Sequence, residues 1–241
     1  MVLGNAKKAG VKKCIVPGVD TLSSNLACNL SQQYPGVIFP SVGFHPYEAS
    51  HNPSVSFIQT LITVPSSPVV AVGEIGLDYH LFKGENAAGK KQEQKLLFEE
   101  QLLLAAKHNL PVIMHCRDAY EDFFTVLDSL PQIPRGVIHC FSGGLQELRF
   151  AQARKLYVGI DGNVTYSKQL QMIAPHIPLS MLLLETDSPY LTPIPNRGQR
   201  NEPKHIPLIA DCVAELTKND IHEVETQTTN NAETLFTISK E

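Results

Sequence analysis

Gln92-Glu-Gln-Lys-Leu-Leu-Phe-Glu-Glu-Gln-Leu-Leu-Leu-Ala-Ala-Lys-His108 passes through Asn109-Leu110 into Pro111-Val-Ile-Met-His115. Leu96, Leu97, Leu103 and Leu104 make the apolar stripe of a helix, which Asn109 and Pro111 end. The run that follows is apolar without alternation and closes on a histidine. Such a strand is buried on both faces, the condition of a parallel sheet. Comparable runs recur at Cys14–Val19, Val37–Gly43, Val69–Glu74, Gly136–His139, Tyr157–Ile160 and Met181–Asp187, with helical patterns at Leu22–Tyr34, Ala119–Leu130, Leu145–Lys155 and Lys204–Thr217. Strand and helix alternate throughout, which predicts an α/β fold with right-handed crossovers and one domain over residues 1–241. The long loops fall at 79–91 and 188–203. A (β/α)8 TIM barrel of about 250 residues is the natural container. Seven of its eight strands are visible, and the beat places the missing first one before Met1. An open doubly wound sheet is the other container, but no Gly-rich fingerprint follows the first strand.

The 241 residues are 43% hydrophobic and 18% charged, enough to bury a core. No apolar run reaches the roughly 20 residues that cross a bilayer, so no membrane partner is expected. A formal net charge of −4 supplies no global basic field, so a nucleic-acid partner must be argued from a local site. Five cysteines with no C-x-x-C pair argue against a disulfide framework or a structural zinc cluster and place the chain in a reducing cytoplasm. Met1–Gly10 reads as the last turns of an amphipathic helix closing on Gly10. No obligate protein partner is evident.

Glu74, His115, His139 and Asp187 each close a strand. In a barrel those ends share one mouth, where active sites are built. Imidazole and carboxylate together suit zinc, manganese or another borderline divalent ion, and metal-assisted hydrolysis is the reaction class they imply. Each also has a structural alternative, as a core histidine, a loop carboxylate or a helix cap. Cys116 and Cys140 directly follow the histidines, so alternation turns them to the opposite face as packing residues. Arg117, two residues past His115, and Glu185, two before Asp187, share the faces of those ligands. Arg197, Arg200 and Lys204 make the last loop locally basic, and a guanidinium suits a phosphate oxygen.

Gly73-Glu-Ile-Gly-Leu-Asp-Tyr79, Pro111-Val-Ile-Met-His-Cys-Arg117, His139-Cys-Phe-Ser-Gly143 and Glu185-Thr-Asp-Ser-Pro-Tyr-Leu-Thr-Pro193 with Arg197-Gly-Gln-Arg-Asn-Glu-Pro203 resemble, in order, the blocks of the TatD family of metal-dependent deoxyribonucleases. The resemblance spans Ala6 to Phe236. It implies an amidohydrolase-like TIM barrel with up to two divalent ions (Zn, Mg or Mn) that hydrolyses DNA phosphodiesters, as an exonuclease. By motif position, Glu74 binds or bridges the metals, His115 and His139 hold one, and Asp187 holds the other and orients the water, so Glu74 and Asp187 are the catalytic pair. Gly43-Phe-His-Pro46 matches a further block and places His45 beside the mouth with Arg117, Arg197 and Arg200 as substrate contacts.

Members of that family open on a strand carrying His-x-His, which this sequence lacks. The expectation is therefore of an N-terminally incomplete domain with one partial metal site, prone to self-association. Beside the nuclease stand a weakly active binding barrel and a hydrolase of another ester, such as an aminoacyl-tRNA.

Overall fold

The computed structural model describes residues 1–82, 85–86 and 89–238. In chain order its elements are α1 (Val2–Lys8), β1 (Cys14–Pro17), α2 (Thr21–Gln33), β2 (Ile38–Val42), α3 (Ser56–Thr63), β3 (Ala71–Asp78), α4 (Lys91–Lys107), β4 (Val112–Arg117), α5 (Tyr120–Ser129), β5 (Gly136–Ile138), α6 (Leu145–Ala153), β6 (Tyr157–Ile160), α7 (Lys168–Ile173), β7 (Leu182–Leu184), α8 (Ile206–Thr217) and α9 (Ile221–Phe236). Part of the expected 79–91 loop lies outside the described residues. Within it, Leu81–Phe82 pairs antiparallel with Glu85–Asn86. Contacts group the chain into two compact units, 15–136 and 1–14 with 137–241.

In the first unit β1, β2, β3 and β4 are neighbours in that order. The β2–β3 and β3–β4 pairs are parallel. Helix α2 starts at Thr21, one residue before the expected Leu22. Asp20 caps it by accepting the Ser23 N–H at 2.7 Å, and the Ser23 hydroxyl in turn accepts the Asp20 N–H at 3.0 Å. Leu97 and Leu104 of α4 pack with Val42, Phe44 and Ile58, while Phe98 stacks on Phe123 of α5 with centroids 5.3 Å apart. Leu96 and Leu103, the other half of the expected stripe, are exposed.

Strand β3 departs most from expectation. It runs past Glu74 to Asp78, and all eight residues are buried, two carboxylates included. The expected run ended at Glu74, but the strand goes on, and Gly76 is needed inside it. Its φ is +144°, and a Cβ there would meet the His115 carbonyl oxygen at 1.9 Å. The β3–β4 register shifts between Val72 and Ile75, so Glu74 sits at a bulge in mid-strand. Bulges of this kind re-aim a side chain.

In the second unit β5, β6 and β7 are parallel neighbours, with Val137 opposite Tyr157 and Val158 opposite Leu182. Strand β7 stops at Leu184, three residues before Asp187. Ile209 and Val213 of α8 and Val224 of α9 fill the core. The sequence shows no apolar stripe for α9 because it buries Thr228 and Asn231, and the Asn231 amide donates to the Leu179 and Leu182 carbonyls at 2.8 Å each. Among the described residues no helix is long and apolar enough to cross a membrane.

Candidate metal centre

The bulge of β3, the end of β2 and the middle of β4 converge on three side chains. Glu74 Oε1 lies 3.0 Å from His115 Nδ1 and 3.5 Å from His45 Nε2. The two imidazole centroids are 4.7 Å apart. One ligand atom from each of His45, Glu74 and His115 falls within 4.8 Å of the others. On its far side His115 turns Nε2 to Asp78 Oδ2 at 3.2 Å, and Asp78 is 2% exposed. Burial opposes the Asp78 carboxylate, but hydrogen bonds from His115 and the His80 N–H outweigh it and hold its pKa below the ordinary range. Both ring nitrogens thus face a buried carboxylate, and a cation taken up at Nδ1 would leave the proton on Nε2 with Asp78, as in carboxylate–histidine–metal arrangements.

His45 is held from two directions. Its N–H donates to the Val19 carbonyl at 2.8 Å, and its Nδ1 accepts the Tyr47 N–H at 3.2 Å, capping the turn Pro46–His51. Burial lowers its pKa, with Glu74 acting in the opposite sense. In the neutral ring that leaves the proton on Nε2, facing Glu74. The donor set of one carboxylate and two imidazoles suits a borderline divalent cation. Glu74 and His115 fit as they stand, and His45 fits as a ligand once the Tyr47 hydrogen bond is given up.

Helix α4 braces this cluster through two fully buried glutamines. Gln101 Oε1 accepts the Phe44 N–H at 2.7 Å and its Nε2 donates to the Phe44 carbonyl at 3.0 Å. Gln94 does the same to the backbone of Asp78, at 2.9 Å and 3.1 Å. One helix thus fixes the residue before His45 and the residue behind His115.

The second unit carries its own constellation. His139 directly follows β5, and its Nδ1 lies 3.1 Å from Glu185 Oε2. A carboxylate on Nδ1 orients the ring and turns Nε2 away from Glu185. The other Glu185 oxygen accepts the Cys140 N–H. The Cys140 thiol donates to Asp161 Oδ2 at 2.7 Å, so this cysteine belongs to a polar network and does not merely pack against helices. Burial, then Asp161 and Glu185, push its pKa well above the ordinary value. Burial raises Asp161 as well, against the hydrogen bonds from Cys140 and the Asn163 N–H. Asp187 has a φ of +51°, and its carbonyl accepts the Tyr190 N–H at 2.9 Å. Cys116 is buried, as expected of a packing residue.

The expected phosphate contacts differ in their surroundings. Arg117 is exposed at the end of β4, where its charge acts on Asp78 and Tyr47. Arg197 stacks over the Tyr166 ring, 4.2 Å from its centroid. Arg200 lines a polar cavity of about 480 Å³ with Asn5, Lys8 and Lys204. Asp78 and Asp161 escaped the sequence reading. Asp78 shares the alternation of Glu74 and could have been found there. Asp161 follows the β6 run as a cap, accepting the Asn163 N–H at 2.6 Å, and nothing local marks it as part of a network.

Residues 1–237 match the family model described as TatD-related DNase. The chain is 36% identical over 243 residues to the metal-dependent hydrolase YabD of Bacillus subtilis, covering 99% of this chain and 92% of the relative. It is 37% identical over 244 residues to the 3'-5' ssDNA/RNA exonuclease TatD of Erwinia amylovora, covering 98% and 92%. Among solved structures, a TatD homologue from Escherichia coli superposes with a TM-score of 0.89 at 31% identity, covering 99% of this chain and 91% of the other. A TatD-family hydrolase from Entamoeba histolytica shares the fold at a TM-score of 0.82 and 23% identity, covering 99% and 89%. The α/β, TIM-barrel-like fold expected from strand–helix alternation is the one these proteins share. With a candidate metal site at His45, Glu74 and His115, the chain belongs to the TatD-related DNase family of metal-dependent hydrolases.

Proposed function

We propose that the protein is a metal-dependent nuclease that hydrolyses phosphodiesters at the ends of single-stranded DNA. The observation that carries this is the Glu74–His115–Asp78 arrangement, in which a buried carboxylate fixes an imidazole with one nitrogen turned to a second carboxylate. The named activity of the Erwinia relative supports the substrate class. A bound divalent cation lowers the pKa of water toward neutrality and stabilises charge on a phosphoryl oxygen. Zinc, manganese and magnesium are the ions to compare.

The chain's own groups do the rest. Glu74 and His115 would hold the cation, and His45 would either join them or present its Nε2–H as a donor. In the second unit His139, oriented by Glu185, and Asp187 are proposed as metal ligands by motif position, with Asp187 also orienting the attacking water. Arg117, Arg197 and Arg200 are proposed to contact phosphates, and the five free cysteines suit a reducing cytoplasm.

The test is to strip the purified protein with chelator, restore single metals and follow cleavage of a labelled oligonucleotide. Activity should vanish and return with the ion. His115→Ala should lower metal occupancy and turnover together, by 100-fold or more in turnover on the order expected for a lost ligand. Parent-level activity in chelator, or in His115→Ala, would overturn the assignment.

A further inference from the structure

Tyr47 is unusual among the aromatic residues of the first unit. Phe44, Tyr79, Phe98, Phe123 and Phe124 are buried, whereas Tyr47 exposes 42% of its surface. Among the described side chains between residues 15 and 136, Tyr34 is the other aromatic left this open, and it caps α2 ahead of β2. Tyr47 instead follows β2, beside the candidate metal centre. Its ring meets the His45 ring edge-on, with centroids 4.6 Å apart, and His45 in turn faces Glu74 and His115.

The ring is also held. The Tyr47 N–H bonds to His45 Nδ1, and Pro46 before it is buried in the same turn. Asp78 and Arg117 both act on its phenol, in opposite senses. Tyr79 makes the contrast in its ring and not in its hydroxyl, which is paired with Asp122 as that of Tyr47 is with Asp78: Lys91 stacks on the Tyr79 ring and it is 8% exposed. An exposed, tethered aromatic ring beside a guanidinium and a cation-binding cluster offers one element for each part of a nucleotide. Stacking suits any base because every base has a π-face, and it is worth roughly 1–3 kcal/mol per base.

We propose that Tyr47 is the stacking platform for a base next to the scissile phosphate, with Arg117 contacting a phosphate of the same strand. This rests on the nuclease reading and adds a specificity element to it. The platform makes the enzyme depend on the base at one position while remaining indifferent to which base it is.

The experiment uses the full chain and single-stranded oligonucleotides in which one abasic residue is moved along the strand. Binding is measured by fluorescence anisotropy after chelation, and KM and kcat with metal restored. With intact oligonucleotide, Tyr47→Ala should weaken binding and raise KM about tenfold, while kcat stays within about twofold, and Tyr47→Phe should restore binding. The decisive result is a loss of coupling: at one abasic position the parent should bind as weakly as Tyr47→Ala, and the substitution should cost nothing more. Circular dichroism melting checks that the variant is folded. Equal losses on intact and abasic strands, or a fall in kcat with KM unchanged, would overturn the platform and return Tyr47 to bracing His45. A parent that binds and cleaves no oligonucleotide would instead overturn the nuclease reading, and the platform with it.

Discussion

Asp78 shows how a single side chain can decide the chemistry of its neighbour. Its carboxylate is buried, accepts from the His80 N–H at 2.9 Å and faces His115 Nε2. Those bonds keep it ionised, and with a cation on Nδ1 an ionised Asp78 would hold the proton of His115 on the nitrogen away from Glu74. Asp78→Asn keeps the size and the acceptor for His80 but removes the charge. Metal affinity, read by competition with a chromophoric chelator, should fall about 10-fold to 100-fold. An unchanged affinity would mean that His115 is oriented by Glu74 alone. Glu185 plays the matching part for His139.

Helix α4 shows what an element contributes that no stripe of leucines reveals. Its polar residues Gln94 and Gln101 lie two turns apart and are buried, each closing a pair of hydrogen bonds on a strand-end backbone. Gln101→Leu would leave the Phe44 N–H and carbonyl without those partners in a dry environment. The expected cost is about 2 kcal/mol, seen as a lower urea midpoint with an unchanged slope. Gln101→Glu keeps the acceptor for the Phe44 N–H but sets a carboxylate oxygen against the Phe44 carbonyl in a dry site, and should lose at least as much. A midpoint equal to the parent for Gln101→Leu would show that water or a shifted backbone replaces the clamp. The buried glutamines also account for the half-hidden helical pattern, since they occupy inward positions that periodicity assigns to apolar residues.

At the scale of the whole molecule the balance of charge is negative, so attraction to a nucleic acid has to be local. The loop after β7 supplies local positive charge. Arg197 is stacked on Tyr166, while Arg200 is exposed beside Lys8 and Lys204. If Arg200 neutralises one phosphate, Arg200→Gln should reduce the slope of log affinity against log salt by about 0.7 for a single strand, leaving metal content as it was. An unaltered slope would make Arg200 a solvated loop residue.

Much of this protein was legible in its linear order. Continuous apolar runs marked the seven strands because a strand covered on both faces has no polar side. The helical pattern from Leu22 to Tyr34 marked α2 to within a residue at its start. The blocks around Glu74, His115, His139 and Asp187 identified the family and its chemistry. The tertiary structure decided what those residues touch. It carried β3 four residues beyond Glu74, because Gly76 permits an approach of β4 that no side chain would allow. It drew His45 from β2 onto Glu74 and His115, moved Cys140 into a network with Asp161 and Glu185, and buried polar faces of α4 and α9. These outcomes depend on contacts between residues distant in the chain, and such contacts leave no period or spacing in the sequence to be read.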